Sequence, residues 1–185
     1  MFRKRQWPYP GDVNVSLKYS LRGNTLMIEY KAKTTRPTPI NITNHSYFNL
    51  SGAPNLGDHE LMILSDEVLE LDNNLLPTGV INTVKKTDFD RNMPCPVGSS
   101  RYDDYFVLRE KEAINVRLKA NSTKIQMDII TDQPGLVVFN PKELNGICFE
   151  AQKFPNAPNI PHFPNTIVRP EEKYTQKTQF ILSKF

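Results

Sequence analysis

The chain has 185 residues, 23% of them charged, and a formal net charge of +3. That length suits a single domain over residues 1–185 with its own core, burying roughly 70% of the unfolded surface. No apolar run approaches the ~18 residues of a spanning helix, so no membrane role is expected. The basic excess near the start (Arg3, Lys4, Arg5, Lys18, Arg22, Lys31, Lys33, Arg36) is scattered through strand-like positions without aromatic interleaving, which argues against a nucleic-acid partner. Fifteen prolines against eight glycines lie mostly between apolar runs and favour short strands and turns over long helices. The two cysteines, Cys95 and Cys148, make neither a disulfide framework nor a zinc-ligand spacing. Met1–Trp7 has basic residues but no apolar h-region, so free thiols in the cytoplasm are expected.

The elements then follow in order. Trp7-Pro8-Tyr9-Pro10-Gly11-Asp12 is turn chemistry. Val13, Val15, Leu17, Tyr19 and Leu21 alternate with polar residues, predicting a strand with one buried face. Arg22-Gly23-Asn24 turns, and Leu26, Ile28, Tyr30 and Ala32 return as a hairpin. Asn41–Gly52 is dense in polar groups around His45 and reads as a short strand running into a loop. Leu61–Leu64 and Val68–Leu71 read as short strands, and Leu75–Ile81 as a turn between strands. A short apolar strand follows Tyr102-Asp103-Asp104. Ile114–Ala120 and Ile125–Thr131 form a second hairpin around Asn121-Ser122. Leu136–Phe139, Gly146–Gln152 and an alternating stretch from Lys173 to Phe185 complete the set. Many short strands with turns every 8–12 residues argue an all-β, antiparallel β-sandwich.

Candidate chemistry gathers on few residues. His45 sits inside a polar run, and histidine titrates near neutral pH. Glu150 lies among Ile147, Cys148, Phe149 and Ala151, where partial burial would raise a carboxyl pKa. A lone histidine on a strand is more often structural, and Asp103 beside Asp104 reads equally as a solvated loop pair. His59 and His162 fall in loops and are expected at the surface. No metal-ligand cluster, Gly-rich phosphate loop or Ser/His/Asp pattern is visible.

These motifs, in this order, strongly resemble the aldose 1-epimerase (galactose mutarotase) family. Asn41–Leu50 fits N-x-T-N-H-x-Y-F-N-L, Leu75–Gly79 fits L-x-P-T-G, and Gly146–Gln152 fits G-x-C-x-E-x-Q. Thr87–Arg91 is one residue short of T-x-F-D-F-R, and in the G-Y-D-H motif Arg101 replaces glycine and Asp104 replaces histidine. Asn140–Asn145 shortens a longer family excursion. The resemblance implies the mutarotase-type supersandwich, here its C-terminal part, without the family's N-R and H-G-G motifs. It implies interconversion of α and β anomers of aldohexoses such as galactose and glucose, with no cofactor. It assigns the acid to His45, the base to Glu150, and sugar contacts to Asp103, with Asn44 and Gln152 as further contacts. A histidine and a glutamate on opposite sides of the sugar would suit the chemistry. A protein partner or self-association completing the sandwich is the expected consequence of the missing half. The alternative is a non-catalytic relative with a carbohydrate-binding or assembly role.

Overall fold

The computed structural model describes residues 9–185, so Trp7 and Pro8 of the opening turn and the basic residues Arg3–Arg5 lie outside the described residues. Fifteen strands form: β1 (Val13–Arg22), β2 (Thr25–Thr34), β3 (Thr38–Pro39), β4 (Tyr47–Phe48), β5 (His59–Ile63), β6 (Ser65–Leu71), β7 (Pro77–Thr83), β8 (Cys95–Pro96), β9 (Asp103–Leu108), β10 (Val116–Ala120), β11 (Ile125–Thr131), β12 (Gly135–Phe139), β13 (Ile147–Gln152), β14 (Ile167–Val168) and β15 (Tyr174–Lys184). The one helical element among the described residues is a 3₁₀ turn at Ala157–Asn159.

A seven-stranded sheet runs β1-β2-β15-β11-β10-β5-β8, and a six-stranded sheet runs β4-β13-β12-β9-β6-β7. β3 and β14 pair separately. Every pairing is antiparallel, as expected for hairpin-linked strands with period-2 patterning. The main core includes Ile28, Tyr30, Leu61, Leu118, Met127 and Phe180 from the first sheet, and Val68, Phe106, Leu136 and Phe149 from the second. Alternation sends the intervening residues of the six-stranded sheet to its other face. There Tyr105 and Leu69 meet Phe154, Ala157, Ile160 and Phe163 of the segment after β13, as a second apolar cluster. That segment covers part of the outer face, and among the described residues the rest is left open.

Four local expectations need correction. Residues 41–46 form no strand; only Tyr47–Phe48 pair, so the motif is a loop entering a short strand. The turn before β7 ends earlier than expected, because Asp72 Oδ1 accepts the N–H groups of Asn74 at 2.8 Å and Leu76 at 3.0 Å, and pairing begins at Pro77. The apolar face of β1 is not buried: Val13, Val15, Leu17, Tyr19 and Leu21 all stay exposed on an edge strand. His59 is not at the surface. It is buried at the start of β5, and its Nε2 accepts the Leu50 N–H at 2.9 Å. Burial lowers its pKa, which keeps the ring neutral and able to accept. His162 is exposed, with Nε2 2.8 Å from the Gly79 carbonyl.

Candidate active site

The site is built on the open part of the outer face. In β13, Cys148, Glu150 and Gln152 alternate and therefore share a face. Directly opposite in the register stand Tyr47 and Phe139 beside Cys148, Val137 beside Glu150, and Gly135 beside Gln152. One strand further, Asp103 pairs with Phe139 and Tyr105 with Val137. Gly135 is required by this layout, because a Cβ there would run into the Tyr105 ring and the Phe106 carbonyl.

Side-chain hydrogen bonds hold the 41–52 segment in place of strand pairing. Asn41 Oδ1 accepts the Lys153 N–H at 2.9 Å, and its Nδ2 donates to the Lys153 carbonyl at 3.0 Å and to Gln152 Oε1 at 3.2 Å. The Ile42 N–H donates to the Tyr174 hydroxyl at 3.3 Å. Asn44 Oδ1 accepts the Ser46 N–H at 3.1 Å, and its Nδ2 donates to the Tyr19 hydroxyl at 3.3 Å. Asn49 Oδ1 accepts from the backbones of Ser51 and Gly52, while its Nδ2 donates to the Ala53 and Asn145 carbonyls. Backbone groups in a non-repetitive segment must find such partners, which is why the run is so rich in asparagine.

This scaffold delivers His45 to Glu150. Nε2 lies 3.2 Å from Glu150 Oε1, with the histidine side chain 52% exposed and the glutamate 13% exposed. The imidazole also packs on Tyr47 and Phe139, at ring-centroid distances of 5.2 and 5.8 Å. The two groups touch, rather than facing each other across a gap as expected from the sequence. Burial raises the Glu150 pKa; His45 opposes that rise and the Asp103 charge adds to it. Burial and the Glu150 charge hold the Cys148 thiol up to about 12.

The other expected residues are placed unequally. Asp103 is exposed on the same face, two strands from Glu150, and borders a groove of about 640 Å³ that also meets Val68, Phe89 and Asp104. Gln152 stands at the end of the Cys148–Glu150 row and is tied to Asn41. Asn44 spends both amide groups within the protein, so its placement is that of a loop brace. Sequence reasoning missed Tyr47, Phe139 and the Cys148 thiol beside the pair. Tyr47 was findable from its spacing of two from His45; Phe139 was not, because only the β12–β13 register brings it there.

The comparisons with known proteins agree with this architecture. The Aldose 1-epimerase family model matches residues 3–181. The chain is 36% identical to the galactose mutarotase of Sus scrofa over 202 residues, covering 95% of the chain and 59% of the relative. It is 28% identical to the aldose 1-epimerase of Escherichia coli K12, covering 93% of the chain and 59% of that relative. Among solved structures, the GalM/aldose epimerase homologue from C. elegans superposes with a TM-score of 0.90 at 27% identity, covering 95% of the chain and 61% of the other. The galactose 1-epimerase of Lactobacillus acidophilus NCFM gives 0.83 at 25% identity, covering 95% and 58%. The chain thus spans about three fifths of the length of these relatives. With the family model matching nearly its whole length and the supersandwich in place, the chain belongs to the aldose 1-epimerase family.

Proposed function

We propose that the chain carries the acid/base half of an aldose 1-epimerase site and interconverts the anomers of an aldohexose such as galactose or glucose. The observation that carries this is the 3.2 Å contact between His45 Nε2 and Glu150 Oε1. Ring opening takes a proton from the hydroxyl on C1 and gives one to the ring oxygen. Both oxygens sit on the same carbon, so the base and the acid must be near neighbours. Glu150 takes the hydroxyl proton, and its burial-raised pKa brings it toward the working pH. Protonated His45 supplies the ring-oxygen proton, and its exposure leaves it open to a sugar. The aldehyde then rotates, and closure reverses both transfers. Tyr47 and Phe139 offer apolar ring surface beside His45. Asp103 and Gln152 supply acceptors for sugar hydroxyls, and Asn44 braces the loop behind His45.

Polarimetry of freshly dissolved α-D-galactose and α-D-glucose tests this. The expected result is a rate above buffer that falls about 10²–10⁴-fold in His45→Ala and in Glu150→Gln. The acid limb of the pH profile should lie above the ordinary glutamate range, because the free carboxylate is the active form and its pKa is raised. A rate equal to buffer, or unchanged in both variants, overturns the assignment.

The bare stripe on β1 supports a second element of the proposal, that a further polypeptide covers this face, either another copy of the chain or a separate partner. Five exposed apolar residues at alternate positions on a strand that, among the described residues, pairs only with β2 and forms the sheet edge are an association surface. Sedimentation velocity of the purified chain should show concentration-dependent larger species that Leu17→Lys dissolves. A monomer at all concentrations would rule out self-association. The free thiols Cys95 and Cys148 support a reducing, cytoplasmic setting.

A further inference from the structure

His45, Cys148 and Glu150 each offer one ligand atom, and these atoms all lie within 4.8 Å of one another. The epimerase chemistry uses the histidine and the glutamate but gives the thiol no task. The thiol sits fully buried behind them, donating only a long contact of 4.0 Å to the Asn44 carbonyl. An imidazole, a thiol and a carboxylate converging on one point are a borderline-soft donor set, the type that selects zinc over magnesium or calcium. In a tetrahedral zinc site, ligand atoms stand about 3.3–3.6 Å apart. The His45–Glu150 separation of 3.2 Å lies just under that spacing. The sulfur needs only a side-chain adjustment, since all three separations stay under 4.8 Å.

We propose that His45 Nε2, Cys148 Sγ and a Glu150 carboxylate oxygen form a three-ligand site for Zn²⁺, with a fourth position open on the exposed side of His45. Binding forms a Zn–S bond and releases the thiol proton to solvent, with no change of oxidation state. The aromatic rings of Tyr47 and Phe139 hold the imidazole in place for this, packing against it at 5.2 and 5.8 Å. One consequence rests on the epimerase reading: an occupied site ties up the lone pairs of both the acid and the base, so zinc is a reversible blocker of anomer interconversion. Metal binding itself does not depend on that reading.

Co²⁺ is the probe, because a cobalt–thiolate bond adds a charge-transfer absorption in the near ultraviolet that oxygen and nitrogen ligands do not give. The untagged full chain should bind one equivalent, show that absorption, and lose it when Zn²⁺ is added. Cys148→Ser should abolish the absorption, while Cys95→Ser, altering a thiol held by Arg91 at 3.0 Å, should keep it. His45→Gln and Glu150→Gln keep the buried cysteine and should each weaken Zn²⁺ affinity about tenfold or more. These two variants carry the test if Cys148→Ser does not fold. Absence of the absorption, its persistence in Cys148→Ser, or unchanged affinity in both Gln variants overturns the site. A chain that binds cobalt this way but does not interconvert galactose anomers keeps the metal site and loses the epimerase reading; the opposite pair of results loses the metal site alone.

Discussion

Hairpins β1–β2 and β10–β11 lie in one sheet, and each carries apolar residues at alternate positions. In β10, Val116, Leu118 and Ala120 have no exposed surface, because the strand is flanked by β11 and β5 and faces the six-stranded sheet. In β1, Val15 and Leu17 remain 48% exposed and Leu21 75% exposed. The register shows that this stripe is continuous with the core: Leu17 stands opposite Tyr30 and Tyr19 opposite Ile28, both buried on β2. The packed interior therefore stops one strand short of the edge. Alternation reports which face of a strand favours burial, but cover has to come from a second layer. Both strands of β10–β11 and the inner strand β2 have that layer among the described residues, and β1 does not.

The largest effect should come from trimming the covered stripe. Leu118→Ala is expected to cost about 2–5 kcal/mol, since it removes a side chain from a fully packed position. Leu17→Ala, the equivalent change on β1, is expected to stay within about 0.5 kcal/mol, as for exposed substitutions generally. Urea denaturation of both variants at a single low protein concentration reads the contrast. Equal costs would mean that β1 is buried in solution and that the difference between the hairpins does not exist there.

The same contrast explains what was legible in the residues. Strand identity was legible for β1, β2, β5, β6, β9 to β13 and β15, because period-2 patterning belongs to each strand alone; β7 read as a turn, and the two-residue strands β3, β8 and β14 are too short to carry a pattern. The candidate site was legible through Asn41–Leu50 and Gly146–Gln152, whose polar residues break the apolar pattern and carry the resemblance. Alternation placed Cys148, Glu150 and Gln152 on one face. The contact between His45 and Glu150 spans two distant segments and depends on the 41–52 loop being pinned by Asn41 and Asn49. No spacing encodes that. His59 was misplaced although a signal existed: it continues the alternation of Leu61 and Ile63 on β5, so it belongs to the buried face. Its role, accepting the Leu50 N–H, became visible only when the loop before β5 folded back onto the strand.

A smaller effect sharpens the comparison on the opposite faces of the two hairpins. Each has a cross-strand ion pair at a directly opposed position. In β10–β11, Arg117 Nε and Nη2 donate to the two Asp128 oxygens at 2.6 and 2.9 Å, and the side chains are 26% and 13% exposed. Gln126 Nε2 adds a third donor to Asp128 at 3.1 Å. In β1–β2, Lys18 Nζ stands 3.6 Å from Glu29, with the lysine side chain 68% exposed. The first pair is bidentate and shielded, with a planar guanidinium that loses little freedom on binding. The second is a solvated point charge on a flexible stem. Asp128→Asn should therefore cost about 1.5–3 kcal/mol, the range for hydrogen bonds to charged groups. Glu29→Gln should cost less than about 0.5 kcal/mol and nothing measurable in high salt. Thermal unfolding of both variants at low and high salt separates the cases. A cost at Glu29 as large as that at Asp128, and undiminished by high salt, would show that the charged face of β1–β2 is shielded from solvent as that of β10–β11 is.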